Sequence, residues 1–134
     1  MKKMFLTTTV LFSLLLAACG QKGPSTSINV TLTDFQFQPN QFVVPAGQEI
    51  SISAVNTGAV VHNFVIMKLG ADAGATLEDD DVPNIYWEVE LVPGADVATS
   101  FTAPSEPGEY QVICRTEGHI ASGMVGKLIV VAGE

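Results

Sequence analysis

From residue 28 onward, short runs of alternating apolar and polar residues are separated by turn signals, and this pattern restricts the chain to an all-β fold. In "INVTLTDFQF", Ile28, Val30 and Leu32 alternate with polar residues, and "QEISISAVN" sets Ile50 and Ile52 on one face in the same way. Alternation with a period of two is typical of a half-buried strand, whereas an amphipathic helix repeats every 3.6 residues. We therefore predict strands in these runs.

Proline and glycine mark the turns between the runs. The turn signals are QPN at 38–40, PAG at 45–47, NTG at 56–58, PG at 93–94 and APSEPG at 103–108. The later strand-like runs are YWEVELV, DVATSFTA, EYQVIC and VGKLIVVAG. About eight short strands with this spacing predict an antiparallel Greek-key β-sandwich. The exception is residues 68–85, a connection long enough for a loop or a short helix.

The first 18 residues have the features of a secretory signal. Lys2 and Lys3 precede the apolar run MFLTTTVLFSLLLAA, which ends directly before Cys19. That run is shorter than the roughly 20 apolar residues of a membrane-spanning helix. The sequence "LAAC" resembles the lipobox of bacterial lipoproteins, in which the cysteine becomes the lipid-modified N-terminus. Ordinary secretion with cleavage nearby is the alternative, and either interpretation predicts export.

We therefore predict three segments: a signal peptide over residues 1–18, a lipidated Cys19 with a flexible tether over residues 19–27, and one folded domain over residues 28–134. Glycine, proline and serine without periodicity favour a tether. A chain of 134 residues, 47% of them hydrophobic, is large enough for a single domain with its own core. The expected location is the outer face of the cytoplasmic membrane or the outer membrane, on the periplasmic or extracellular side.

The charge balance is strongly acidic. Without the signal, four basic residues remain against fourteen acidic ones, a formal net charge of about −10, which makes nucleic acid a poor partner. The densest acidic segment is made up of Glu78, Asp79, Asp80 and Asp81. Such a segment is either a solvated loop or a docking patch that steers a basic partner.

Few residues are available for metal or nucleophilic chemistry. The chain has two cysteines and two histidines, so with Cys19 assigned to the lipid neither a disulfide nor a cysteine-rich zinc site can form. Taken singly, the remaining candidates are explained by packing. His62 shares an apolar strand face with Val60 and Phe64, and Cys114 and Met124 are ordinary core residue types.

Together these residues form a different pattern. The segment "CRTEGHIASGM", residues 114–124, spaces Cys114, His119 and Met124 at intervals of five between the last two strands, and His62 adds an imidazole from a distant strand. Two nitrogens, a thiolate and a weak axial thioether are the ligands of a blue copper site. The sulfur ligands suit Cu(I) and imidazole accommodates Cu(II), so the set tolerates both oxidation states.

This pattern resembles the cupredoxins, and the spacing Cys-x4-His-x4-Met is similar to that of the auracyanin and azurin branch. The resemblance extends over residues 28–132 and includes "FQFQPNQFVVPAGQEISISAVNTGAVVHNFVI". It implies one copper ion with His62, Cys114 and His119 as equatorial ligands and Met124 as the long axial ligand.

The resemblance also implies contacts around the ligands. Asn63 would join the ligand strand to the cysteine loop, with its backbone N–H near the sulfur, and Thr116 would belong to the same set of outer contacts, which tune the potential. Strand alternation leaves a second possibility, because it points Asn63 away from His62 and toward water. Val61 stands where azurins have a glycine whose carbonyl is an extra axial contact with the metal. The resemblance therefore leaves two alternatives, a fifth metal contact from the Val61 carbonyl or no such contact.

The resulting functional prediction is a monomeric one-electron carrier, not an enzyme. Its partners would be redox proteins, such as a cytochrome or a membrane electron-transfer complex. By analogy with the family, the electron leaves through His119 inside an apolar patch with Ile120 and Ala121, while the acidic segment orients the partner.

Other classes of function remain as alternatives. A copper-binding, storage or chaperone lipoprotein would use the same ligands without electron transfer, and an adhesion domain would keep the fold without metal. An enzyme with Cys114 as a nucleophile activated by His119 leaves His62 and Met124 unexplained. Copper oxidase chemistry needs a second copper site, which two histidines cannot supply.

Overall fold

The computed structural model describes residues 23–133, and within them the chain forms nine β-strands and one short 3₁₀ helix, Asp79–Asn84. The strands are β1 (Ser27–Thr33), β2 (Gln36–Gln38), β3 (Gln41–Pro45), β4 (Glu49–Asn56), β5 (His62–Met67), β6 (Ile85–Leu91), β7 (Asp96–Thr102), β8 (Gly108–Ile113) and β9 (Val125–Val131). They form a four-stranded sheet in the order β2-β1-β4-β7 and a five-stranded sheet in the order β3-β9-β8-β5-β6. The predicted β-sandwich is confirmed.

The direction of some strands differs from the prediction of a purely antiparallel sandwich. β1 pairs with β4 in parallel, and so does β3 with β9, while the other pairs are antiparallel. The chain crosses from one sheet to the other between β2 and β3 and returns in β4, so β4 runs in the same direction as β1. The alternation of apolar and polar residues shows which face of a strand is buried. It does not show whether the adjacent strand in the sheet runs parallel or antiparallel, because that depends on how the connections cross between the sheets.

The core lies between the two sheets. As the alternation predicts, Ile28, Val30 and Leu32 of β1 and Ile50 and Ile52 of β4 are buried on the inner face of their sheet. They pack against residues of the five-stranded sheet, namely Phe42, Val44, Phe64, Ile66, Leu91, Tyr110, Val112, Leu128 and Val130. Each large aliphatic or aromatic side chain buried in this way contributes about 1.5–3 kcal/mol. The strand ends that carry the functional residues are therefore fixed by a continuous core.

β5 is buried on both faces, which strand alternation alone does not predict. Phe64 and Ile66 face the main core, whereas Val65 and Met67 face outward into a second apolar cluster. The connection over residues 68–84 covers this outer face with Ala71, Ala73 and Leu77. This connection contains the 3₁₀ helix, and Glu78, Asp79 and Asp80 at its start are exposed.

The predicted signal peptide, Cys19 and the first part of the tether lie outside the described residues. The tether was predicted to extend to residue 27, but β1 begins at Ser27. The Ser25 N–H donates a hydrogen bond to the Val43 carbonyl (2.9 Å), and the Thr26 carbonyl accepts one from the Ser51 N–H (2.9 Å). The ordered domain therefore includes the last residues of the predicted tether. Within residues 23–133, no helix has the length and apolar character needed to cross a bilayer.

Candidate metal centre

Three neighbouring strands deliver the predicted ligands to one end of the five-stranded sheet. His62 is the first residue of β5, Cys114 directly follows β8, and Met124 directly precedes β9. Because β8 lies antiparallel to both β5 and β9, the end of β8 meets the beginnings of the other two strands. The sheet register therefore brings together residues far apart in the sequence.

The donor atoms converge in a buried site. The Sγ of Cys114 lies 3.7 Å from Nδ1 of His62 and 3.6 Å from Nδ1 of His119. All three donor atoms lie within 4.8 Å of one another, and all three residues are buried. Met124 is fully buried beside them in the main core cluster.

These separations fit ligands that share one ion. Bonds of roughly 2.0 Å to nitrogen and 2.3 Å to sulfur are typical of a first-row metal such as zinc, and at 120° to each other they set nitrogen and sulfur about 3.7 Å apart. The observed distances agree with this value. The thiolate, thioether and two imidazoles also match the preference of copper for soft and borderline donors. His62, Cys114, His119 and Met124 are positioned as a type 1 copper site.

Backbone hydrogen bonds hold the ligand loop closed. The Met124 N–H donates to the carbonyl of His119 (2.9 Å), and the Met124 carbonyl accepts from the Cys114 N–H (3.3 Å). Gly118 and Gly123 have φ angles of +78° and +96°, which glycine adopts without the steric cost of a Cβ. The two glycines allow the tight turns that return the chain from Cys114 to β9.

Asn63 and Thr116 lie directly around the ligands. Asn63 is buried rather than facing water, and its backbone N–H donates a 3.4 Å hydrogen bond to the Sγ of Cys114. Thr116 donates from Oγ1 to the Val61 carbonyl (2.7 Å) and contacts Asn63 Oδ1 at 3.4 Å. These bonds link the strand that carries His62 to the loop that carries Cys114. They also engage the Val61 carbonyl, the group that a fifth metal contact would require.

The turn between β1 and β2 supplies two contacts that sequence analysis missed. Asp34 Oδ1 lies 3.2 Å from Nε2 of His62, and the ring of Phe35 packs edge-on against His119 with a centroid distance of 5.1 Å. The only signal in the sequence was the "DF" pair, which interrupts the alternation within "INVTLTDFQF". Nothing in that pair indicated which residues it would contact.

Asn56 organises the loop that leads to His62. Its fully buried amide donates to the carbonyls of Val60 (2.8 Å) and Leu91 (2.9 Å) and accepts from the Gly58 N–H (2.9 Å). The "NTG" turn signal placed the turn correctly but did not indicate this role. The side chain thereby ties the turn after β4 to the end of β6 and pairs the buried carbonyl of Leu91.

The surroundings of His119 disfavour the protonated form of its ring. Burial lowers the pKa of His119, and the neighbouring His62 lowers it further, while Asp34 acts in the opposite direction. A neutral imidazole is the form that binds a metal. Desolvation therefore favours the ligating state of His119 at neutral pH.

The predicted apolar patch requires a correction. Ile120 is only 8% exposed and packs in the second apolar cluster with Val65, Met67 and Ile113. It was expected at the surface by analogy with the family and because it follows His119 in a loop, but it packs against the outer face of β5. His119 is 6% exposed, Ala121 is exposed, and the ring of Phe35, which is 46% exposed, packs against His119.

Comparison with known proteins agrees with the fold and the site. A family model described as a cupredoxin-like domain matches residues 6–130. Auracyanin-A of Chloroflexus aurantiacus is 32% identical over 97% of each chain. The solved structure of reduced auracyanin from Roseiflexus castenholzii has a TM-score of 0.70 at 32% identity, covering 81% of this chain and 99% of its own. The copper-resistant cuproprotein CopI of Rubrivivax gelatinosus is 26% identical over 78% of this chain and 66% of its own. The chain therefore belongs to the cupredoxin-like family.

Proposed function

We propose that this chain is a one-electron carrier that shuttles electrons between redox proteins. The observation that carries the proposal is the approach of the Cys114 sulfur to both histidine Nδ1 atoms, at 3.6 and 3.7 Å, inside a buried site. A copper ion held there supplies exchange of one electron between Cu(II) and Cu(I). The fourth ligand, Met124, adds the weak thioether donor of such sites.

The chain contributes rigidity around the ligands. Cys114 and Met124 belong to the main core cluster, and His62 begins a strand that is buried on both faces. The hydrogen bond from the Asn63 N–H to the Cys114 sulfur restrains the thiolate and tunes its electron density. Ligands held in this way move little when an electron arrives, which supports rapid transfer rather than slow rearrangement.

The proposed exit for the electron is the edge of His119. The exposed ring of Phe35 packs on this histidine, and the exposed Ala121 follows closely in the same loop. We define the exit patch as Phe35, His119 and Ala121. Phe35 replaces the buried Ile120 as the large apolar member of the predicted patch. A small apolar surface permits close and short-lived contact with a partner.

The proposed partner is a basic redox protein such as a cytochrome, or a membrane electron-transfer complex. The acidic segment of residues 78–81 and the formal net charge, about −10 without the signal peptide (four basic and fourteen acidic residues), would attract positive charge at a distance. Attraction of this kind raises the association rate and is weakened by salt. The same proposal places the protein outside the cytoplasm, held to a membrane by lipid on Cys19, and rests there on the "LAAC" sequence.

The central test is addition of Cu(II) to the purified chain, with Cys19→Ser used to obtain soluble protein whose four ligands are unchanged. An intense blue colour at one copper per chain, which bleaches with reductant and returns with oxidant, is expected. Cys114→Ser is the matched variant that removes the thiolate and should stay colourless. A colourless wild-type site would refute the proposal.

Copper storage or delivery is the second candidate, favoured by the similarity to a copper-resistant cuproprotein. An electron carrier gives up an electron and keeps its copper, whereas a storage or delivery protein gives up the copper ion itself. The reduced, copper-loaded chain is mixed with oxidised cytochrome c, and both cytochrome reduction and the copper content of the chain are followed. Rapid reduction with copper retained supports the carrier, whereas loss of copper to a chelator or acceptor protein without electron transfer supports storage or delivery.

A further inference from the structure

The two histidine ligands have different surroundings. His62 is fully buried and its Nε2 lies 3.2 Å from a carboxylate oxygen of Asp34. His119 instead has the Phe35 ring packed against it. Asp34 and Phe35 are the two residues of the turn between β1 and β2, so one short turn contacts both imidazoles.

The Asp34 carboxylate is held in place by more than His62. The backbone N–H of Ala59 donates to both of its oxygens, at 3.1 and 3.3 Å. Phe35 has a left-handed φ of +68°, a conformation that costs a non-glycine residue roughly 1–2 kcal/mol. The fold thus retains a strained turn at the position that sets Asp34 against His62.

Gly58 leaves the space in which the carboxylate and imidazole meet. A Cβ at this position would lie 2.5 Å from Asp34 Oδ1 and closer still to His62 Nε2. Both distances are shorter than those that real Cβ atoms show. The close approach therefore depends on a residue without a side chain on the neighbouring loop.

The contact with Asp34 favours a proton on Nε2 of His62. A carboxylate only accepts hydrogen bonds, so a bond to Nε2 requires the Nε2–H form of a neutral ring. That form leaves the lone pair on Nδ1, the atom that lies 3.7 Å from the Cys114 sulfur. The nitrogen that faces the other ligands is the one free to bind metal.

We propose that Asp34 is a positioning residue for the copper site, and the proposal rests on the proposed function above. Its carboxylate holds His62 in the Nε2–H form with Nδ1 directed at the metal, and its negative charge stabilises Cu(II) relative to Cu(I). Asp34 therefore lowers the reduction potential as well as fixing the ring. Carboxylates bonded to ligand histidines act in this way at other metal sites.

The expected loss of copper affinity on removing the Asp34 carboxylate depends on how exposed that carboxylate is. Loss of such a partner costs about 10–100-fold in metal affinity, and because Asp34 is 44% exposed, solvent screening favours the lower figure. A tenfold loss confined to Cu(II) corresponds to a rise of about 59 mV in a one-electron potential.

The test compares Asp34→Asn and Asp34→Ala with Glu106→Gln in the copper-loaded chain. Asparagine keeps an acceptor oxygen but loses the charge, so the potential should rise by about 59 mV while the blue colour remains. That rise corresponds to a loss of about tenfold in Cu(II) affinity in Asp34→Asn. Alanine loses the charge and the acceptor, so the potential should rise and Cu(II) affinity should fall by about tenfold or more. Glu106 is exposed and precedes β8 at the end remote from Cys114, so Glu106→Gln controls for net charge alone.

A second readout follows the ring itself. Nitrogen chemical shifts of His62 in the copper-free chain should report the Nε2–H form in the wild type and in Asp34→Asn, and a mixture of forms in Asp34→Ala. The role of Asp34 would be overturned if Asp34→Asn and Asp34→Ala had the same reduction potential as the control Glu106→Gln and if His62 kept the Nε2–H form in Asp34→Ala. If Asp34→Ala does not fold, the potential of Asp34→Asn decides. A wild-type chain that never turns blue refutes the proposed function instead, so the two failures are distinguishable.

Discussion

Replacement of Gly58 by alanine tests how closely the loop before β5 is fitted to the metal site. The new methyl carbon would lie 2.5 Å from Asp34 Oδ1 and also too close to His62 Nε2. Ordinary contact begins at 3.4 Å, so either the loop moves away from both side chains, or the carboxylate moves by about 0.9 Å and the imidazole by slightly more. His62 is fully buried in the core, and we therefore expect the loop and Asp34 to yield first.

Gly58→Ala is expected to lose both stability and copper affinity. Forcing one extra carbon into a closely packed site costs about 1–3 kcal/mol of unfolding free energy, which lowers the melting temperature of a domain near 100 residues by about 4 °C or more. Separating Asp34 from His62 adds the loss expected for an outer partner of a metal ligand, about 10–100-fold in copper affinity. Both losses should appear in the same variant.

The assays are thermal unfolding of the copper-free chain and competition for copper with a chelator of known affinity. Gly23→Ala is the matched control, because a Cβ at Gly23 meets nothing within 4 Å, and it should change stability by less than about 0.5 kcal/mol. If Gly58→Ala binds copper and melts like Gly23→Ala, the close fit of Asp34, Gly58 and His62 is not what positions the imidazole, and the reasoning fails.

Four further outcomes are expected. Phe64→Ala should lower the unfolding free energy by about 3–5 kcal/mol, measured by urea unfolding, because this fully buried ring packs against two other phenylalanines; a loss below about 1 kcal/mol would contradict its central place in the core. Phe35→Ala should slow reduction of a cytochrome partner while leaving the blue absorption in place, and an unchanged rate would remove Phe35 from the exit patch. Because burial and His62 lower the folded pKa of His119, the unfolded chain binds a proton at this residue more readily than the folded chain. The stability of the copper-free fold that depends on neutral His119 should be complete above the ordinary pKa of about 6.5 and should be lost as the pH falls below it toward the folded pKa. The urea midpoint should therefore fall with pH below about 6.5, and it should fall less in His119→Gln. Cys19→Ser should move the protein from the membrane fraction to the soluble fraction in cells that process lipoproteins, and a protein that stays in the membrane fraction would argue against a lipid anchor at this residue.

The ligand set was accessible from the sequence because three of its members are close together in the chain. Cys114, His119 and Met124 lie in one loop, and their chemistry narrows the metal strongly. His62 was predicted as a ligand because the resemblance to the cupredoxins implies a second imidazole and because it is the other of only two histidines. Its convergence with the loop required the pairing of β5 with β8.

The residues around the ligands were harder to predict from the sequence. Ile120 was expected in an exposed patch, yet it is buried because the long connection covers the outer face of β5. Asp34 precedes His62 by 28 residues and reaches it across the two sheets, and no local pattern encodes such a contact. Exposure and outer contacts depend on which distant segment covers a residue.

The sequence alone determined properties that repeat locally or reside in single residue types: strand periodicity, turn positions, the acidic balance and the identity of the four ligands. Tertiary structure decided the direction of β4 and β9 relative to their neighbours, the contact between Asp34 and His62, and the surface next to His119. The physical reason is range. Alternation and ligand chemistry act within a few bonds, whereas pairing, burial and hydrogen bonds between distant residues exist only once the two sheets have packed.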